Sequence, residues 1–263
     1  MIAHINNLRL ACRASMASLS WLQTIPSGVA QLILEPALTA AFFLVLSGDH
    51  PTWDYGNALA AASMACAIKT VSTTTSLFAQ DRYEGTLPYL AINTGGLTTV
   101  FFARIITSVA IGLISGISSI CTVALISGGL KEIPCELSSV ALIMMCCVLA
   151  ATATGYAIHS LSLAFTDELL ISNIMLFVLP LVSGSVASIW VFPKPLPYLF
   201  RLIPISSVTE LSRLLATGLN ADFSTTLLGC LLLSLAWFAL GSIGWALGIK
   251  NQIRTGRVDI LGL

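Results

Sequence analysis

Charge is what this sequence has least of. Asp, Glu, Lys and Arg make up only 9% of it, where soluble domains carry about a quarter. Its residues are 56% hydrophobic and the mean hydropathy is +0.92. A water-soluble core of 263 residues does not hide that much apolar surface, so the fold class expected is all-α integral membrane. The charges that exist balance, and no basic tract occurs, which leaves no electrostatic footprint for nucleic acid. Cysteine pairing is also missing. Cys12, Cys66, Cys121, Cys135, Cys146, Cys147 and Cys230 contain no CxxC and no histidine at metal spacing. Most lie in apolar runs and read as small buried hydrophobes, so no metal site is expected.

Three catalytic signatures are absent: the GxxxxGK[ST] phosphate loop, HExxH and the GxSxG elbow. His159 and Ser160 are neighbours with Asp167 close in sequence, but adjacent residues on a helix point in different directions, so no hydrolase triad is read there. The segment after Arg9 and Arg13, ASMASLSWLQT, is too polar for a signal-peptide h-region. There is no repeat, and one transmembrane domain spanning 1–263 is expected.

What is there is a series of apolar runs of membrane-spanning length. Residues 1–24 mix Leu8, Leu10, Met16, Leu19 and Trp21 with Arg9 and Arg13, as an amphipathic interfacial helix does, with Trp21 at headgroup level. Six spans are expected near 26–46, 58–78, 105–126, 137–157, 169–191 and 226–248, with Pro180 and Gly184 bending the fifth. Residues 192–218 carry four prolines in two short apolar pieces, too interrupted to cross and too apolar for a loop. They read as an outer re-entrant helical hairpin. In it Glu210 and Arg213 stand three apart, where they can pair on one helix face. With both termini cytoplasmic, the inner face takes Arg9, Arg13, Arg82, Arg104, Lys250, Arg254 and Arg257, and the outer takes Lys131, Lys194, Arg201 and Arg213. That bias places the chain as a multi-pass protein of the cell membrane.

Two charges fall inside spans, where they are costly and face a partner or a cavity. Glu35 lies about nine residues from the inner end of the first span and Lys69 about nine from that of the second; at about 1.5 Å per residue they share a depth. They are expected to approach each other, either as a structural ion pair or as a gate. After Lys69 runs a series of hydroxyls including Thr70, Thr73 and Thr74. These either bond their own and neighbouring backbone or line a polar substrate path.

The most polar interruption is 79–96, AQDRYEGTLPYLAINTGG. Asp81, Arg82 and Glu84 charge it, Gly85 and Thr86 turn it, and Leu87, Tyr89 and Leu90 give it an apolar side. It reads as a short helix on the membrane surface, with a merely solvated loop as the alternative. Here the order of features resembles the membrane subunit (permease) of ABC-2 type ABC exporters. Leu32-Ile33-Leu34-Glu35-Pro36-Ala37-Leu38 is similar to that family's first-span signature. Asp81-Arg82-Tyr83-Glu84-Gly85-Thr86-Leu87 is similar to its coupling helix. Ser183-Gly184, Leu196-Pro197, Leu202-Ile203-Pro204 and Arg213 are similar to its closing signature. Pro88, where an acidic residue is usual, and Ser212, where a small apolar one is, depart from it.

The resemblance implies that 79–96 couples to a separate ATP-binding ABC subunit, present in two copies, with ATP and Mg held there and no cofactor on this chain. It implies a second permease, identical or paralogous, membrane lipid as surroundings, and transport rather than an enzymatic step on this chain. An amphipathic cargo (drug, antibiotic, peptide or lipid-like) fits the scarcity of charge. The alternatives are an ion-coupled secondary transporter that titrates Glu35, and a non-transporting immunity or sensor protein.

Overall fold

In lipid, backbone N–H and C=O groups find no water, so a chain this apolar satisfies them within helices. The computed structural model describes residues 2–47, 55–83, 94–127, 137–163, 165, 169–186, 189–217 and 221–255, and no strand occurs among them. The helices are α1 Ile2–Ser18, α2 Ile25–Ser47, α3 Tyr55–Tyr83, α4 Thr94–Ser127, α5 Leu137–Ser162, α6 Leu170–Val182, α7 Leu196–Phe200, α8 Pro204–Thr217 and α9 Ala221–Thr255. Four of them, α2, α4, α5 and α9, contain stretches long and apolar enough to cross a membrane. The chain is therefore an all-helical, multi-pass membrane protein.

The helix at the centre is not one of those four. α3 packs against α2, α4, α5 and α8. Its first half is built from Ala58, Ala60, Ala61, Ala62, Ser63, Ala65, Cys66 and Ala67, all buried. Small residues let helix backbones approach closely where lipid supplies no hydrophobic drive. The result is low hydropathy: α3 meets protein on nearly every side, and small residues outnumber its two buried leucines, Leu59 and Leu77. α2 and α9 are peripheral, and their outward faces carry Leu34, Leu38 and Phe42, and Leu228, Leu235 and Ile243, respectively.

Several boundaries differ from the sequence expectation. α3 continues to Tyr83 rather than stopping near Phe78. Ala79, Gln80 and Arg82 are good helix formers, and the first breaker is Gly85. α4 begins at Thr94, so both ends of the 79–96 stretch belong to long helices. The fifth expected span, 169–191, is not one helix. α6 has 13 residues, about 20 Å at about 1.5 Å each, which falls short of a bilayer core of about 30 Å. It ends because Gly184 takes φ of 78°, a left-handed conformation open to glycine. A 3-10 turn, Ile189–Val191, follows.

Within 192–218, α7 and α8 are two short helices with prolines in their first turns, where a missing N–H costs nothing. α8 buries Ile205, Val208, Leu211 and Leu215 against α3, α5 and α9. The Trp237 indole on α9 donates to the Leu202 carbonyl at 2.7 Å. The N-terminal α1 lies along α4, with Arg9 and Arg13 exposed. Its last carbonyl region is tied to α3, since Gln80 Nε2 donates to Ser18 O at 2.5 Å.

Near the Tyr83 end of α3, rings from four helices meet. Phe78 contacts Phe101, Tyr156 and Trp245 at centroid separations of 5.7, 5.1 and 5.8 Å. His159 packs against both Phe78 and Trp245, so the histidine that sits beside Ser160 in sequence is a member of an aromatic cluster. Arg104 places its guanidinium 5.6 Å from the Phe78 ring. Phe78→Ala is expected to cost about 3–5 kcal/mol, as large aromatic truncations do, and Phe78→Leu clearly less. Thermal unfolding of the full chain in detergent measures both. An unchanged Tm for Phe78→Ala would contradict a fastening role for the cluster.

Candidate functional site

The site begins with a local fault in α2. Pro36 has no N–H and its ring collides with the carbonyl four residues back, which an α-helical turn does not absorb. The chain instead widens into a π-helical turn over Ala30–Leu34, where the Glu35 N–H reaches back to Ala30 O. Such turns are frequent at functional positions. Hydroxyls from α4 bond carbonyls around the fault: Ser118 Oγ donates to Ile33 O at 2.9 Å and Ser119 Oγ to Pro36 O at 3.4 Å.

The wide turn holds Gln31 and Glu35, four apart in sequence, within reach of one side chain on α3. Lys69 Nζ donates to Gln31 Oε1 at 2.5 Å and to Glu35 Oε2 at 2.7 Å. The Trp21 ring centre lies 4.8 Å away, near enough for its negative face to attract the ammonium. Lys69 is thus buried, with 6% of its side chain exposed, and its ammonium meets an amide oxygen, a carboxylate and a ring face. Glu35 is different: 44% of its side chain is exposed, on a helix whose neighbouring outward residues are Leu34 and Leu38. A carboxylate in that setting faces either a water-filled path or another protein surface.

The structure thus brings Glu35 and Lys69 together and adds two groups to which sequence gave no part in the pair. Gln31 had a visible signal, lying four residues before Glu35 on the same helix face. Trp21 had none. Its place beside Lys69 depends on the 3-10 turn Ser20–Leu22, and Ser27 Oγ fixes that fold by donating to Trp21 O at 2.6 Å.

Thr70, Thr73 and Thr74 are buried. Thr70 Oγ1 donates to Cys66 O at 2.8 Å and Thr74 Oγ1 to Thr70 O at 2.7 Å, while Thr74 and Ser108 share a hydroxyl–hydroxyl bond. In this conformation Thr70 and Thr74 spend their hydroxyls on their own helix and on the α3–α4 seam.

The Glu210 carboxylate goes to Arg201 at 2.8 Å rather than to Arg213. Arg213 reaches away from α8 and donates from Nη2 to Gly184 O at 2.6 Å and from Nε to Asn57 Oδ1 at 3.2 Å. It thereby ties the end of α6 to the start of α3. Asp81 and Arg82 lie in the last turn of α3. Glu84, Gly85, Thr86, Leu87, Tyr89 and Leu90 lie outside the described residues, as does Cys135. Comparison of the chain with protein-family models, with curated proteins and with solved structures finds no match in any of the three.

Proposed function

We propose that the chain is the membrane-spanning permease subunit of an ATP-driven exporter, working with a separate ATP-binding subunit. The observation that carries this reading is the overrun of α3 and α4. α3 has 29 residues and α4 has 34, or about 43 and 51 Å at about 1.5 Å per residue, against a core of about 30 Å. Lys69 stands midway along α3. From mid-depth, the remaining turns to Tyr83 extend about 21 Å, beyond the half-thickness of about 15 Å. The charged stretch is then carried to the outer edge of the headgroup layer, about 20–22 Å from mid-depth, where a soluble partner can push on it. Two rigid helices leave it for the bundle core, so a displacement there moves α3 against every helix it touches.

In this scheme α2, α3, α4, α5, the α6 segment with the turn after it, and α9 make six crossings, and both termini are cytoplasmic. α1 is an interfacial helix and α7–α8 the outer hairpin. Asp81, Arg82 and Glu84 orient the partner, Gly85 and Thr86 form the turn, and Leu87, Tyr89 and Leu90 dock apolar surface. Two permeases, identical or paralogous, enclose the path for an amphipathic cargo, while ATP and Mg are bound by the two partner subunits.

One observation favours a second reading. The outward-facing Glu35 carboxylate is placed as a titrating group of an ion-coupled carrier would be. Photo-crosslinking separates the two. A photoreactive residue at Leu87 is expected to trap a soluble protein containing a phosphate loop, while the same residue at outward-facing Leu235 traps lipid or membrane protein. Absence of any soluble adduct at Leu87 would count against the exporter.

A further inference from the structure

The α6–α8 region forms an open cavity of about 170 Å³, lined by Ser183, Ile189, Trp190, Ser206, Thr209, Glu210 and Arg213. At its edge stands Arg201. Its guanidinium carbon lies 4.7 Å from the centre of the Trp190 ring, and its Nη2 donates to Glu210 Oε1 at 2.8 Å. An aromatic face beside a carboxylate is how proteins recognise ammonium groups. Two wall residues of the cavity therefore already hold a cation, one supplied by the chain itself.

The hold is weak by construction. Both partners are exposed, with 42% and 36% of their side chains accessible for Arg201 and Glu210, respectively, and ion pairs of that kind contribute little. Behind them the walls are polar. Ser206 Oγ donates to Ile203 O at 2.8 Å and Thr209 Oγ1 to Ser206 O at 2.8 Å, and each hydroxyl oxygen keeps lone pairs free to accept. A primary ammonium brings three donors, of which the Glu210 carboxylate takes at least one, with the two hydroxyls in the same cavity wall. Arg213, also in the wall, is turned toward Gly184 O and Asn57, away from the Arg201 position. Just outside, Val191, Tyr198, Leu199 and Leu202 are exposed and apolar. They form a surface for a hydrocarbon tail.

The geometry points to a binding site for amphiphiles with an ammonium head, in which Arg201 occupies the cation position until a ligand displaces it. The head sits between Trp190 and Glu210, and the tail lies along Val191 and Tyr198. This site stands whether the chain is an exporter or a carrier. Its ligand is either a membrane lipid such as phosphatidylethanolamine or a diffusible lipophilic amine.

The test uses the full chain in phosphatidylglycerol nanodiscs, titrated separately with radiolabelled octylamine and short-chain phosphatidylethanolamine. Saturable binding of at least one is expected. Arg201→Gln is expected to tighten it about threefold, because an internal competitor present about two-thirds of the time divides the apparent affinity by that factor. Glu210→Gln and Trp190→Leu are expected to weaken it more than tenfold. Saturable octylamine binding alone identifies a diffusible amine, and phosphatidylethanolamine binding alone a lipid. If neither saturates, or if Arg201→Gln leaves the Kd unchanged, the site is refuted. Arg201→Met serves as a second vacating variant should the first lower the Tm.

Discussion

Glu35→Gln is expected to remove most of the folded protein from the membrane, and Lys69→Met to do the same less completely. The first change leaves the Lys69 ammonium, 6% exposed, with neutral amide oxygens and the Trp21 ring but no counter-charge. Removing the partner of a buried charge costs up to about 3–5 kcal/mol, because the remaining charge stays desolvated. That is a large part of a total stability of about 5–15 kcal/mol. The second change strands a carboxylate that is 44% exposed, so its cost depends on what covers α2. In the double variant, Glu35→Gln with Lys69→Met, neither charge remains, and recovery to near wild-type level is expected. Membrane expression and monodispersity of the three variants measure this. If both single variants fold as well as wild type and differ only in transport, the pair is a gate rather than a fastening.

The second large effect sits where α3 meets α5. A Cβ on Gly155 would stand 2.9 Å from Thr74 Cβ and 3.1 Å from Val71 O. The carbonyl belongs to the central helix and has no room to retreat. Gly155→Ala is expected to destabilise by about 1–3 kcal/mol, as overpacking does, and Gly155→Leu to abolish folding. Gly229 on α9 supplies the control, because a Cβ there meets nothing within 4 Å. Gly229→Ala is expected to be neutral or to stabilise by up to about 1 kcal/mol through helix propensity. Thermal unfolding of both alanine variants in one detergent makes the comparison. Equal Tm values would contradict the close approach of α3 and α5.

The contrast between those two glycines shows where sequence reading stops. Apolar length marked the α2, α4, α5 and α9 helices because a span in contact with lipid has a compositional signature. It located α3 without revealing that this helix is central, since what makes a helix central is contact with other helices. Thr70 is an instance: sequence left its hydroxyl between a backbone bond and a polar path, while in three dimensions Gly112 of α4 packs directly on it. Depth arithmetic sufficed to put Glu35 opposite Lys69, because two helices of known direction leave only rotation undetermined. It did not reach Gln31, whose place depends on the π-helical turn, or Trp21, whose place depends on the fold between α1 and α2. Gly184 was read as a bend, and it ends α6 outright. The Arg201–Glu210 pair was hidden for a different reason. Three-residue spacing favoured Arg213 as the partner, but Arg213 reaches the end of α6, and the carboxylate is left to an arginine from beyond the helix.

The claim on which the account turns is that this chain receives work from a separate ATPase through 79–96. The most direct measurement is gentle purification of the chain from its native membrane with identification of whatever accompanies it, followed by transport in sealed vesicles. Expected are a soluble partner carrying a phosphate loop, transport that requires ATP, and loss of at least nine-tenths of both partner and transport when Gly85 and Leu87 are changed to Glu. A chain that purifies alone and moves cargo on a proton gradient without ATP would contradict it.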